Sequence, residues 1–232
     1  MKNLLLATAL LAAVGAMPAY ATLQLSITAN GQTFTCSDGQ TSCDQSGGAN
    51  NLLTIDTTVG GAFVELTLTQ STFGKPDSLQ LSSSNIINES GAPISISFSA
   101  SDTGFLSPVT FIENSGSLTF NNAVGSSASS LSFLANGDLL EMVSGTPMTD
   151  PDSFAGSNFA RFVANSPFSM EEQATLNLIA GGSITGFNQS MTTGVPEPTT
   201  WAMVLAGFAF LGFAFHRRRV NRLGAFAESP LG

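Results

Sequence analysis

The sequence predicts an all-β protein: an antiparallel β-sandwich of the immunoglobulin or jelly-roll kind, with a targeting segment at each end. Three observations carry that expectation. Apolar and polar residues alternate strictly in many short runs, which places one face of each run in a core and the other in water. Turn pairs such as Asn30-Gly31 and Gly60-Gly61 punctuate those runs. Ser and Thr, rather than charged residues, supply the wet faces, and they are β-compatible residues that stay soluble without charge. The 232 residues divide into a leader (1–21), an exported sandwich (22–194), a short motif (195–198), an apolar helix (199–215) and a basic tail (216–232).

The leader reads MKNLLLATALLAAVGAMPAYA. Lys2 provides the positive start, Leu4 to Val14 an apolar run too short to span a bilayer, and Ala19-Tyr20-Ala21 a small-x-small cleavage site. This order is that of a secretory signal peptide, with cleavage expected to leave Thr22 first.

Within 22–194, Val64, Leu66 and Leu68 alternate with Glu65, Thr67 and Thr69, and Ile94, Ile96 and Phe98 alternate with Ser95, Ser97 and Ser99. Leu118-Thr119-Phe120, Leu131-Ser132-Phe133 and Leu176-Asn177-Leu178 repeat the pattern. Further turns are expected at Ser90-Gly91, Asn136-Gly137 and Gly181-Gly182. Together these give roughly seven to ten strands. A weak helical pattern covers Ser169 to Ala174, and irregular segments are expected over Gln40 to Asn50 and Val143 to Asn158. Thirteen phenylalanines in this region supply enough apolar bulk for a core, which argues against a disordered Ser/Thr stalk. The two cysteines, Cys36 and Cys43, meet an oxidising compartment if the chain is exported and are expected to pair. Closing so short a loop contributes roughly 2.5 kcal/mol in the chain-entropy model.

The region carries fourteen acidic residues against Lys75 and Arg161 alone, a formal charge of −12. Such a surface repels phosphate backbones, so a nucleic-acid partner is excluded. The only histidine, His216, stands in the tail, which removes imidazole from general-base and metal-ligand roles in the domain. Lys75 sits in the turn Gly74-Lys75-Pro76-Asp77. Glu171 and Glu172 are adjacent, hence on opposite faces of an extended chain, which is poor geometry for an acid and base pair. Tyr20 leaves with the leader and Trp201 lies in the apolar segment, so the domain lacks the rings with polar handles that line sugar clefts. Asp38, Asp44, Asp150 and Asp152 offer hard oxygen ligands, but no loop has the Asp-x-Asp-x-Asp-Gly spacing of a calcium site. Asn88-Glu89-Ser90 and Asn188-Gln189-Ser190 are glycosylation sequons in form. The reading is a protein without catalysis, cofactor or metal.

At the C-terminal end, Thr199 to Phe215 are seventeen residues without a charge. As a helix such a run is about 25 Å long, at the short end for a bilayer core of about 30 Å. Trp201 suits the interface at one boundary, and Arg217, Arg218 and Arg219 stop transfer at the other. Val204, Leu205, Phe208, Phe210, Leu211, Phe213 and Phe215 favour insertion by roughly 2 to 4 kcal/mol together. The positive-inside rule then places the domain outside and the tail in the cytoplasm. Before the span stand Pro196 and Pro198. Their rings fix φ at about −65° and hold Glu197 extended, in the conformation that a protease cleft accepts.

Val195-Pro196-Glu197-Pro198, the following Thr200-Trp201-Ala202, the apolar stretch and Arg217-Arg218-Arg219 resemble the PEP-CTERM protein-sorting signal. The resemblance covers about the last forty residues, and the chain departs from it by continuing for thirteen residues after the arginines, Val220 to Gly232. It implies a Gram-negative bacterium that makes an exopolysaccharide. It further implies exosortase, an integral-membrane cysteine transpeptidase, and the lipid bilayer as partners, processing near Pro-Glu-Pro, and delivery of the domain to the cell surface or extracellular polymer. A structural matrix role is expected, with a polysaccharide-binding or adhesin module as the alternative.

Overall fold

The computed structural model describes residues 23–71, 76–105, 109–164, 167–194 and 208–210. Twelve strands follow one another: β1 (Gln24–Ala29), β2 (Gln32–Ser37), β3 (Leu52–Val59), β4 (Ala62–Ser71), β5 (Ser78–Asn88), β6 (Ile94–Phe105), β7 (Val109–Asn121), β8 (Ser129–Ala135), β9 (Asp138–Gly145), β10 (Asp152–Ala164), β11 (Phe168–Leu178) and β12 (Ser183–Gly194). They form two six-stranded sheets, β2-β1-β6-β11-β8-β9 and β10-β7-β12-β5-β4-β3, in which every pairing is antiparallel. Strands β5 to β12 divide between the sheets in the orders β5-β12-β7-β10 and β6-β11-β8-β9, which is the connectivity of a jelly roll. The first four strands widen it, β1 and β2 beside β6 and β3 and β4 beside β5.

Local chemistry explains the hairpins. Asn30-Gly31, Gly60-Gly61 and Asn136-Gly137 each place two successive residues at positive φ, as a two-residue hairpin with the right twist requires. Gly60 and Gly61 accept no side chain at all: a Cβ on Gly60 would overlap the Ala29 carbonyl oxygen, and one on Gly61 would stand 2.7 Å from Ser90 Cβ. Inward positions of the facing strands then build one core, from Leu25 and Ile27 on β1 to Ile184, Phe187 and Met191 on β12. Phe105 of β6, Phe168 of β11 and Phe162 of β10 form an aromatic chain between the sheets, with ring centroids 5.5 and 5.8 Å apart. Where β7 passes β8 the sheets approach closely, because a Cβ at Gly116 would lie 2.7 Å from Leu131 Cδ1 and 3.1 Å from Phe133 Cζ.

The structure corrects three expectations. Among the described residues the strands number twelve rather than seven to ten. Ser169 to Ala174 is strand, not helix: its burial alternates along β11, and the helical appearance came from Glu172, a carboxyl at an inward position. Of the segment expected to be irregular between Val143 and Asn158, only 146–151 lies outside a strand, since β9 runs to Gly145 and β10 starts at Asp152. The other irregular segment, Gln40 to Asn50, lies within the connection from β2 to β3, as expected.

Candidate functional site

Connectivity sorts the ends of the sandwich. The chain enters at β1 and leaves at Gly194 of β12 on the same end, together with the connections β2–β3, β4–β5, β6–β7, β8–β9 and β10–β11. β12 is held on both sides up to its end: Gly194 stands opposite Phe111 of β7, and Thr192 opposite Ser78 of β5. The Phe111 ring lies across the Gly194 α-carbon, at a distance no Cβ could tolerate. Thr193 N donates to Asp77 O at 2.8 Å, a last backbone tie before the chain departs. The compact unit that begins the protein closes at Gly194. The sequence-predicted motif residues Val195, Pro196, Glu197 and Pro198 lie outside the described residues, as do Trp201, Arg217, Arg218, Arg219, His216, Lys75 and the leader with Ala19 and Ala21. Of the apolar segment, Phe208–Phe210 is helical and exposed, and among the described residues no helix is long and apolar enough to cross a membrane.

The disulfide is formed: Cys36 and Cys43 are joined, with Cα atoms 5.9 Å apart, and staple the β2–β3 connection at the exit end. Asp44 organises the same connection, accepting from the amides of Gly39, Ser46 and Thr54 at 3.1, 2.8 and 3.3 Å. Burial pushes its carboxyl up, but these donors win and hold it below the ordinary aspartate value. Asp152 is likewise lowered, chiefly by the Met148 amide at 2.7 Å, and Asp150 accepts from Asn122 N at 2.7 Å. These aspartates therefore close turns, and among the described residues no three Asp, Glu, Cys or His side chains converge as a metal site.

Glu171 and Glu172 point to opposite faces. Glu171 accepts from Ser99 Oγ at 2.6 Å and Gln173 Nε2 at 2.8 Å on the outer face. Glu172 is wholly buried, neither of its oxygens has a hydrogen-bond partner, and burial raises its pKa well above the ordinary glutamate value. The Leu81 and Met191 amides of the opposite sheet oppose that rise from beyond hydrogen-bonding geometry. Asp102 of β6 is also buried; desolvation moves it up to about 6 against the Thr103 amide, which donates to it at 2.6 Å. Sequence reading missed these inward acids and two companions, Asn114 and Gln189, also fully buried. Gln189 reaches across the core to the Gln173 and Ser132 carbonyls of the other sheet at 3.1 and 3.4 Å. The sequon residue Asn88 is buried too, donating to the Ala92, Leu178 and Ile179 carbonyls at 2.7, 3.2 and 2.9 Å, so its amide serves the fold.

The outer faces carry small polar groups in register. One rung crosses six strands as Thr33, Thr28, Ser97, Thr175, Ser130 and Ser144; on the other sheet Ser117, Asn188, Ser82, Thr67 and Thr54 align. Two shallow depressions, about 350 and 390 Å³, open on that second face. Ser115, Ser117, Ser157 and Asn188 line the first; Asp56, Glu65, Thr67 and Ser82 line the second. Neither brings an acid and a base together over an enclosed space.

The arrangement is that of a β-sandwich whose last strand runs directly into a C-terminal address. The PEP-CTERM protein-sorting motif matches residues 194–219, so this chain is a PEP-CTERM sorting-signal protein, and the motif implies an exported protein processed by exosortase. Comparison with curated proteins gives no match. Among solved structures the chain is similar to TmCBM61 in complex with beta-1,4-galactotriose, at 8% identity over 56% of this chain and 88% of that one, with a TM-score of 0.35. It is also similar to the CBM22-1 xylan-binding domain of Xyn10C from Paenibacillus barcinonensis, at 17% identity over 63% and 88%, TM-score 0.25. A third is the GH31 alpha-xylosidase of Xanthomonas citri, at 7% identity over 71% and 30%, TM-score 0.19. Scores this low carry neither topology nor ligand across.

Proposed function

We propose that the sandwich is the exported cargo of its own C-terminal address: held at the membrane by 199–215 with the domain outside, cut within 195–198, and delivered to the cell surface or extracellular polymer as a structural component. One observation carries the reading. The last core residue is Met191, the last strand ends at Gly194, and the motif begins at that same residue. Among the described residues, a cut within 195–198 therefore removes no member of the core cluster and no paired strand residue, so the cargo leaves folded. Pro196 and Pro198 lack the amide hydrogens that a continued pairing of β12 would use, which suits the segment to processing by exosortase. The outer faces suit a life outside the cell, because Ser and Thr rungs hold water without needing charges.

Replacing Pro196, Glu197 and Pro198 with Ala and fractionating the cells tests this reading. Full-length protein retained in the membrane supports it, and unchanged release overturns it. A second reading, a polysaccharide-binding or adhesin module, draws on the two hydroxyl-lined depressions of the outer face. Pull-down of residues 22–194 on a panel of polysaccharides separates the two, since saturable binding to one polymer favours the module.

A further inference from the structure

The exported domain has a strongly acidic exterior, yet one corner of its exit end is apolar. On β10, Phe159 is 65% exposed and Val163 70%; on β9, which runs beside β10, Leu139 is 59% exposed. The register fixes their height. Gly194, where the chain leaves, pairs with Phe111, and Phe111 pairs with Arg161. Arg161 thus stands two strands from the exit on the same rung, about 10 Å away at the ordinary spacing of neighbouring strands. Phe159 is one rung further in, opposite Glu113, and Val163 lies further out, within the register shift between Arg161 and Ala164. The Phe111 and Phe159 rings meet edge to face at 6.1 Å, which joins the exit to the exposed ring.

Charge separates this corner from the rest of the surface. In a domain of net −12, the described residues of this corner hold one exposed cation, Arg161, which makes no ion pair among them, beside the exposed acids Glu113 on β7 and Asp138 next to Leu139 on β9. Arg161 offsets part of the negative charge here, so the repulsion that keeps the domain away from anionic headgroups is weakened at this corner. Large exposed apolar side chains grouped with an arginine are what an interfacial contact needs: rings enter the headgroup boundary while the guanidinium reaches phosphates.

The length of chain beyond the domain supplies the occupant. Four residues, 195–198, separate Gly194 from the first residue of the uncharged segment. Fully extended, they reach about 14 Å. Resting on the proposed membrane tether, we propose that this corner docks on the bilayer that holds the chain's own C-terminal segment, with Phe159 and Val163 entering the interface and Arg161 meeting lipid phosphates. Tethering raises the effective concentration into the millimolar range, so two apolar side chains suffice for a contact that the free domain would not hold. Docking leaves the Pro-Glu-Pro segment at headgroup level, where an integral-membrane transpeptidase works, and cutting the tether lets the domain go.

The full-length chain is reconstituted in vesicles of phosphatidylcholine with about one third phosphatidylglycerol and a headgroup nitroxide lipid. A bimane label is placed at Thr110→Cys beside Phe111, or at Ser127→Cys in the β7–β8 connection at the opposite end. Several-fold stronger quenching at position 110 is expected, falling to the level of position 127 in the Phe159→Ser/Val163→Ser variant while the chain still floats with the vesicles. Both substitutions are exposed, and an unchanged circular dichroism spectrum confirms folding. Equal quenching at the two positions, or quenching at 110 that survives the double substitution, overturns docking and leaves the tether standing. Loss of flotation overturns both. Energy transfer between labels at 110 on separate copies, without lipid quenching, assigns the corner to a second copy and also overturns the proposal.

Discussion

Glu172 gives a prediction with an unusually clean background. Residues 22–194 contain no histidine, and apart from the new α-amino group nothing ordinary titrates just below neutrality. Glu172, wholly buried without a hydrogen bond, remains the neutral acid in the folded state well above its ordinary value, whereas in the unfolded chain it ionises near 4.5. The unfolded state therefore binds fewer protons, and stability falls as pH rises, by about 1.4 kcal/mol per pH unit for one such group. Asp102 adds to the fall only up to about 6, where its folded form ionises as well. Above about pH 6 Asp102's share tails off, and the loss becomes chiefly Glu172's. Urea unfolding of residues 22–194 at pH 6.0, 6.5 and 7.0 should show stability declining as pH rises, by at most about 1.4 kcal/mol per unit for this one group, and Glu172→Gln, of the same shape without a titrating proton, should remove most of the decline. A wild-type stability flat over this range, or a decline shared by the Gln variant, would refute the reasoning.

Three further substitutions test the packing and ties described above. Gly116→Val forces a side chain into Leu131 and Phe133 where β7 passes β8, and should cost about 1 to 3 kcal/mol or more in urea unfolding. Asn88→Ala removes three hydrogen bonds, although Ser90 Oγ still donates to the Ala92 carbonyl and Gly182 N to that of Ile179, and should lower stability by about 1 to 3 kcal/mol, with any glycosylation state of the protein unchanged by mass. Replacing Cys36 and Cys43 together by Ser should cost about 2.5 kcal/mol, read as a shift in the unfolding midpoint that reducing agent reproduces in the wild type.

Which parts of the fold could be read in advance follows from where each residue's partners lie. The two-residue hairpins were legible because Asn-Gly and Gly-Gly meet a backbone demand that is purely local. Strands β4 and β6 were legible because both neighbours flank them and their inward residues are apolar over the alternating runs. The edge strands were not. β9 and β10 each have one strand partner, so apolar residues such as Leu139, Met142, Phe159 and Val163 stand on faces that are not buried and blur the period of two. β11 was obscured by Glu172, whose position inside the core depends on strands far away in sequence. The same distance hid Gln189, whose acceptors sit on β8 and β11. The sorting address was legible because it is linear: Pro-Glu-Pro, an uncharged run and three arginines stand in one order along the chain, and the motif matches there.

Export and processing are tested most directly by the mass of the mature protein. Intact mass spectrometry of the surface and released fractions should find a chain that begins at Thr22 and ends within 195–198, heavier only by what the transpeptidase attaches. A chain of 232 residues in the cytosol, with its leader uncut and its arginines in place, would contradict the account.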